Sequence, residues 1–81
     1  MKIRYSKQAI KAIQGMDSAR KQRMKVAIEK LPEGDTKQIK GRAVTTYRLR
    51  VGQWRILYSF CDDGALFVEK IAPRGDVYKG V

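Results

Sequence analysis

The segment from Thr45 to Cys61 limits the possible folds most. On either side of Gly52-Gln53 it alternates, residue by residue, between apolar side chains and cationic or small ones. Successive side chains of a strand point to opposite faces. Tyr47, Leu49 and Val51 therefore share one face, and Thr46, Arg48 and Arg50 the other. In the returning run Trp54, Ile56, Tyr58 and Phe60 fall together, against Arg55, Leu57, Ser59 and Cys61. The spacing predicts strands over 44–51 and 54–61 joined by a tight turn at Gly52-Gln53. Arg48, Arg50 and Arg55 are expected to project from one face of that hairpin. An isolated hairpin is marginal in water, so the apolar face needs a cover.

The rest of the chain supplies it. Asp62-Asp63-Gly64 is a second hairpin turn, and 65–71 reads as a third antiparallel strand that Pro73 stops. At the other end Lys2 to Tyr5 alternates like a short opening strand. Ser6 is then placed to cap a helix with Ala9, Ile10 and Ile13 on its apolar stripe and Gly15 at its stop. Asp17 or Ser18 can cap a second helix, in which Met24, Ala27, Ile28 and Leu31 recur at helical spacing until Pro32-Glu33-Gly34 ends it. Helices are expected over 6–15 and 17–31, and a loop from 32 to about 42. The expected fold is α+β and forms a single domain over 1–81. It has an N-terminal strand, a two-helix hairpin and a three-stranded antiparallel meander, with the helices on one face of a small sheet.

Charge narrows the chemistry. The 81 residues carry 18 Lys and Arg against 8 Asp and Glu, a formal net charge of +10, with one Cys and no His. A single Cys61 excludes an internal disulfide, and the absence of His excludes both a Cys₂His₂ zinc site and a Ser-His-Asp triad. No cofactor or metal is expected. No apolar run approaches the ~20 residues of a membrane span, and the start of the chain shows no signal-peptide core, so a cytoplasmic protein without membrane partners is expected. The excess of positive charge favours a polyanionic partner, either phosphate-bearing or an acidic protein.

Three guanidiniums a few strand spacings apart repel one another and gain from an anion bound among them. Arginine's planar fork matches phosphate oxygens and stacks on bases better than lysine does. The alternative is a plain solvated face. Arg74 and Tyr78 lie just past the third strand, where a short tail could fold back over the arginines.

The stretch Ile39-Lys40-Gly41, the run from Tyr47 to Tyr58 with its YRLR-x-G-x-WR-x-LY pattern, Phe67 to Arg74, and Asp76-Val77-Tyr78 resemble the RelE branch of the RelE/ParE toxin superfamily. The likeness runs nearly the full length. It implies the toxin of a type II toxin–antitoxin pair, a metal-independent endoribonuclease that cleaves mRNA in the ribosomal A site through attack of the RNA's own 2′-hydroxyl. It also implies an acidic RelB-like antitoxin, the ribosome and mRNA as partners, and a toxin that is monomeric outside the antitoxin complex. Carried over by position, the catalytic set is Arg48, Arg50, Arg55, Arg74 and Tyr78. Arg48 and Arg55 would clamp phosphate, Arg74 would serve the leaving-group side and Tyr78 would stack on or orient the attacked nucleotide. Relatives often carry Lys at the first two positions, and an Arg there does not readily accept a proton. Arg50 would then act electrostatically, leaving Glu69, Lys40 or Tyr78 as the general base. A ParE-like toxin that inhibits DNA gyrase without catalysis, and a plain RNA-binding module, are the competing readings.

Overall fold

The computed structural model describes residues 2–73; Arg74 and Tyr78 lie outside that range. The chain order is β1 (Ile3–Tyr5), α1 (Lys7–Gln14), α2 (Ser18–Glu29), β2 (Thr36–Ile39), β3 (Thr46–Val51), β4 (Trp54–Phe60) and β5 (Leu66–Pro73). Both helices start where side-chain oxygens satisfy amides that the first turn leaves unpaired. Ser6 Oγ accepts from Ala9 N at 3.0 Å, and Asp17 Oδ1 accepts from Arg20 N at 2.8 Å. Ser6 also ties α1 to the sheet by donating to the Glu69 carbonyl, and Gln8 clamps the backbone of Ile71 through both its amide atoms at 2.9 Å.

The strands form one five-stranded mixed sheet in the order β1-β5-β4-β3-β2. The β2–β3, β3–β4 and β4–β5 pairs are antiparallel, whereas β1 runs parallel to β5 with Ile3 opposite Leu66. The expected α+β arrangement is present, but the sheet is larger than a meander beside a lone strand. The segment 32–42, expected as a loop, contains β2, which pairs with β3 through Thr36 opposite Leu49 and Ile39 opposite Thr46. With one apolar residue in four, Thr-Lys-Gln-Ile carries almost no alternation of its own and is held by the ladder it borrows from β3. The β3 strand also begins at Thr46 rather than at 44.

One face of this sheet and the helices bury the main core. Met24 and Ile28 of α2 and Ala9 of α1 meet Leu49, Ile56, Tyr58, Leu66, Val68 and Ile71. Burying a side chain of this size fully contributes about 1.5–3 kcal/mol relative to leaving it in water. Tyr58 stacks on Tyr47 with ring centroids 5.4 Å apart. Burial pushes its phenol above the ordinary value of 10.0, opposed by a hydrogen bond with Thr36. The α1 stripe is narrower than expected, since Ala9 is buried and Ile13 half-buried while Ile10 stands exposed. Between Leu57 and Tyr58 the β4–β5 register slips: their partners are Lys70 and Val68, leaving Glu69 as the extra residue of a bulge.

Candidate phosphate-binding face

The β3–β4 hairpin sets the site, and its turn is Gly52-Gln53 with Gly52 at φ 59°, a left-handed conformation that glycine adopts without penalty. Its register places Arg50 directly opposite Arg55 and Arg48 opposite Leu57. Paired residues of antiparallel strands share a face. The three arginines therefore lie on the face away from the helices, as the alternation predicts. Two like charges directly opposed across a ladder repel, and each finds its own relief. Arg50 Nε donates to Asp35 Oδ2 at 2.5 Å, while Arg55 Nη1 folds back to the carbonyls of Gly52 and Trp54 at 3.0 and 3.1 Å.

This face is not simply solvated. Leu57 is fully buried on it and packs with Ala72 and Ile39, a small apolar island between the charged residues. Arg48, directly opposite Leu57, has a side chain only 14% exposed, and its Nη2 reaches Asp35 Oδ1 at 3.5 Å. Arg48 Nε is buried with no hydrogen-bond partner among the described residues. A buried, unsatisfied guanidinium donor is costly and is ready to take an acceptor. Lys37 of β2 stands directly opposite Arg48, adding a cation to the same face.

The expected site residues thus divide. Arg48, Arg50 and Arg55 come together, whereas Arg74 and Tyr78 fall outside the described residues. Of the proposed bases, Glu69 already faces Arg42, whose Nη2 lies 2.9 Å from its carboxylate, and Lys40 follows β2 as an exposed residue. Sequence reading missed Asp35, which bridges Arg48 and Arg50. The Asp35 carbonyl accepts from Arg50 N at 3.0 Å, so the β2 register holds this carboxylate beside the arginines. Asp35 was not visible in the sequence because its place depends on that long-range pairing. Arg42 was missed for the same reason. No group of three or more His, Cys, Asp or Glu among the described residues is arranged to hold a metal ion, and no described helix is long and apolar enough to cross a membrane. Chemically, the face presents fork-shaped cations with carboxylates at its margins, an arrangement whose geometry suits an anion with paired oxygens.

A small α+β domain that packs two helices on one face of a five-stranded mixed sheet has known structural relatives. The chain matches no protein-family model and no curated protein. Among solved structures it resembles a chain of the archaeal RelE–RelB complex from Pyrococcus horikoshii OT3, with 27% identity over 93% of this chain and 96% of that one and a TM-score of 0.72. The RelB–RelE antitoxin–toxin complex from Methanococcus jannaschii gives 24% identity, coverage of 93% and 94%, and a TM-score of 0.73. The intact E. coli RelBE toxin–antitoxin complex shares the fold at 15% identity, with coverage of 93% and 96% and a TM-score of 0.56. The chain has the fold of a RelE-type toxin.

Proposed function

We propose that this chain is the toxin of a type II toxin–antitoxin pair and acts as a ribosome-dependent endoribonuclease on mRNA. The observation that carries the reading is the convergence of Arg48, Arg50 and Arg55 on the open sheet face of a RelE-type fold. RNA brings its own nucleophile. The 2′-hydroxyl loses its proton as its oxygen attacks the adjacent phosphorus in line, a P–O2′ bond forms, the P–O5′ bond breaks and the departing 5′-oxygen takes up a proton, leaving a 2′,3′-cyclic phosphate and a 5′-hydroxyl. The protein's task is to orient the strand and stabilise the charge that develops on the phosphoryl oxygens. Arg48, whose Nε is unsatisfied among the described residues, and Arg55, held by the carbonyls of Gly52 and Trp54, clamp those oxygens. Arg50 adds field from beside them. Arg74 at the leaving group and Tyr78 against the nucleotide complete the set by resemblance.

Such a toxin needs an inhibitor. The +10 chain calls for an acidic antitoxin whose carboxylates compete with phosphate at the arginines and whose apolar residues seat elsewhere on the surface. A groove of about 530 Å³ between α1, α2 and β1, lined by Ile3, Tyr5, Ile10, Ile13 and Ile28 and flanked by Lys21 and Lys25, suits that second task.

Primer extension on a translated mRNA after induction, run beside a gyrase supercoiling assay, tests the reading. New 5′ ends within translated codons, absent from the same transcript lacking a start codon, are expected while supercoiling stays normal. Blocked supercoiling without new mRNA ends would instead establish the gyrase-directed reading.

A further inference from the structure

The cations do not stop at the sheet face. Gly52, at the tip of the β3–β4 turn, is touched from two sides. Its carbonyl accepts from Arg55 Nη1 at 3.0 Å. On its other side lies Arg23 of α2: a Cβ at position 52 would stand 3.1 Å from Arg23 Nη2, 3.4 Å from Cζ and 3.5 Å from Nη1, so the whole guanidinium plane rests against the glycine. Arg23 is exposed and makes no ion pair among the described residues. A cleft of about 500 Å³ joins it to Lys30 and Arg50, with Glu33 and Asp35 at one margin.

Two guanidiniums lie on either side of one glycine, and among the described residues neither makes an ion pair, so their mutual repulsion is relieved by a shared anion. Gly52 itself has no side chain to hold them apart, so a ribose-phosphate backbone can approach it closely. We propose that Arg23, Gly52 and Lys30 form a second phosphodiester subsite, through which an RNA strand held by Arg48, Arg50 and Arg55 continues around the end of the sheet onto α2. This inference rests on the RNA-directed reading above.

Binding to a single-stranded 2′-O-methyl RNA oligonucleotide, which lacks the nucleophile, isolates recognition from cleavage. Fluorescence anisotropy from about 50 to 300 mM KCl is the measurement. Arg23→Gln is expected to weaken binding several-fold and to flatten the slope of log affinity against log salt by about 0.7, the contribution of one single-strand phosphate contact. Arg23→Lys should keep the slope. Lys11→Gln on the exposed face of α1 makes the same change in net charge and should leave the slope unchanged. Gly52→Asn keeps the charge at +10 and tolerates the left-handed backbone, yet it inserts a side chain where the guanidinium rests, so it too should weaken binding. If wild type binds, Arg55→Gln weakens it and Arg23→Gln behaves like Lys11→Gln, the subsite is wrong while the RNA reading stands. If wild type shows no salt-dependent binding to the oligonucleotide, the subsite is wrong, and the RNA reading is decided separately by the primer-extension assay.

Discussion

The two faces of the β3–β4 hairpin are built from adjacent residues but obey different physics. Ile56 and Leu57 are neighbours in the chain and both are fully buried, Ile56 in the large core under the helices and Leu57 in a small cluster that, among the described residues, holds Ala72 and Ile39. On the helical face each side chain is surrounded by apolar partners, and removing one leaves a cavity. On the arginine face a thin apolar island supports cations whose heads reach solvent, so most substitutions there alter electrostatics rather than packing. Period two lets one strand stabilise the fold with alternate positions and carry cations on the others.

The largest expected effect tests the packing side. Ile56→Ala should cost about 2–5 kcal/mol, and Leu57→Ala should fall near the lower end of that range because the small island relaxes more easily. Urea unfolding of the two variants measures the difference; equal losses would mean that the arginine face is as rigidly packed as the core. Next, Arg55→Ala should lower mRNA cleavage by about 10²–10³-fold, the usual result of losing a donor aimed at developing charge, while urea unfolding stays cooperative. A cooperatively folded Arg55→Ala protein with full toxicity would reduce Arg55 to a turn-stabilising residue.

A smaller effect is expected from Asp35→Asn. Its carboxylate and Arg50 are each about half exposed, so their pairing contributes only about 0.2–1 kcal/mol. Freeing Arg48 and Arg50 should therefore raise affinity for the RNA oligonucleotide by about 1.5–5-fold, read by the same anisotropy titration. A fall in affinity would instead make Asp35 the residue that orients the arginines.

The smallest effect belongs to pH and acts on the helical face. Burial raises the phenols of Tyr5 and Tyr58 above 10.0. The folded state thus holds these protons more tightly than the unfolded chain does. Their contribution to stability is complete below pH 10 and is lost as pH rises through the folded values. The urea midpoint should fall as pH rises above 10, and the fall should shrink in Tyr58→Phe; an unchanged fall would place its cause elsewhere.

How much could be read in the sequence follows from range. The caps at Ser6 and Asp17, the α2 stripe and the alternation of β3 and β4 are local patterns, and each has its counterpart in the structure. What escaped depends on distant pairing. β2 is a strand only because β3 is beside it, and the parallel union of β1 with β5 rests on three residues too few to show a pattern. The arginine face was legible because parity alone fixes it. Asp35, Arg42 and Arg23 were not, because each reaches the site from an element whose placement is set by tertiary packing.

The parallel pairing of β1 with β5 also orders events in time. Ser6 and Gln8 bond to residues 63 positions further along, and Ile3 lies opposite Leu66. α1 therefore has no strand to dock on until β5 is in place, so the two ends of the described chain close the domain together and the helical hairpin stays open until the last strand pairs.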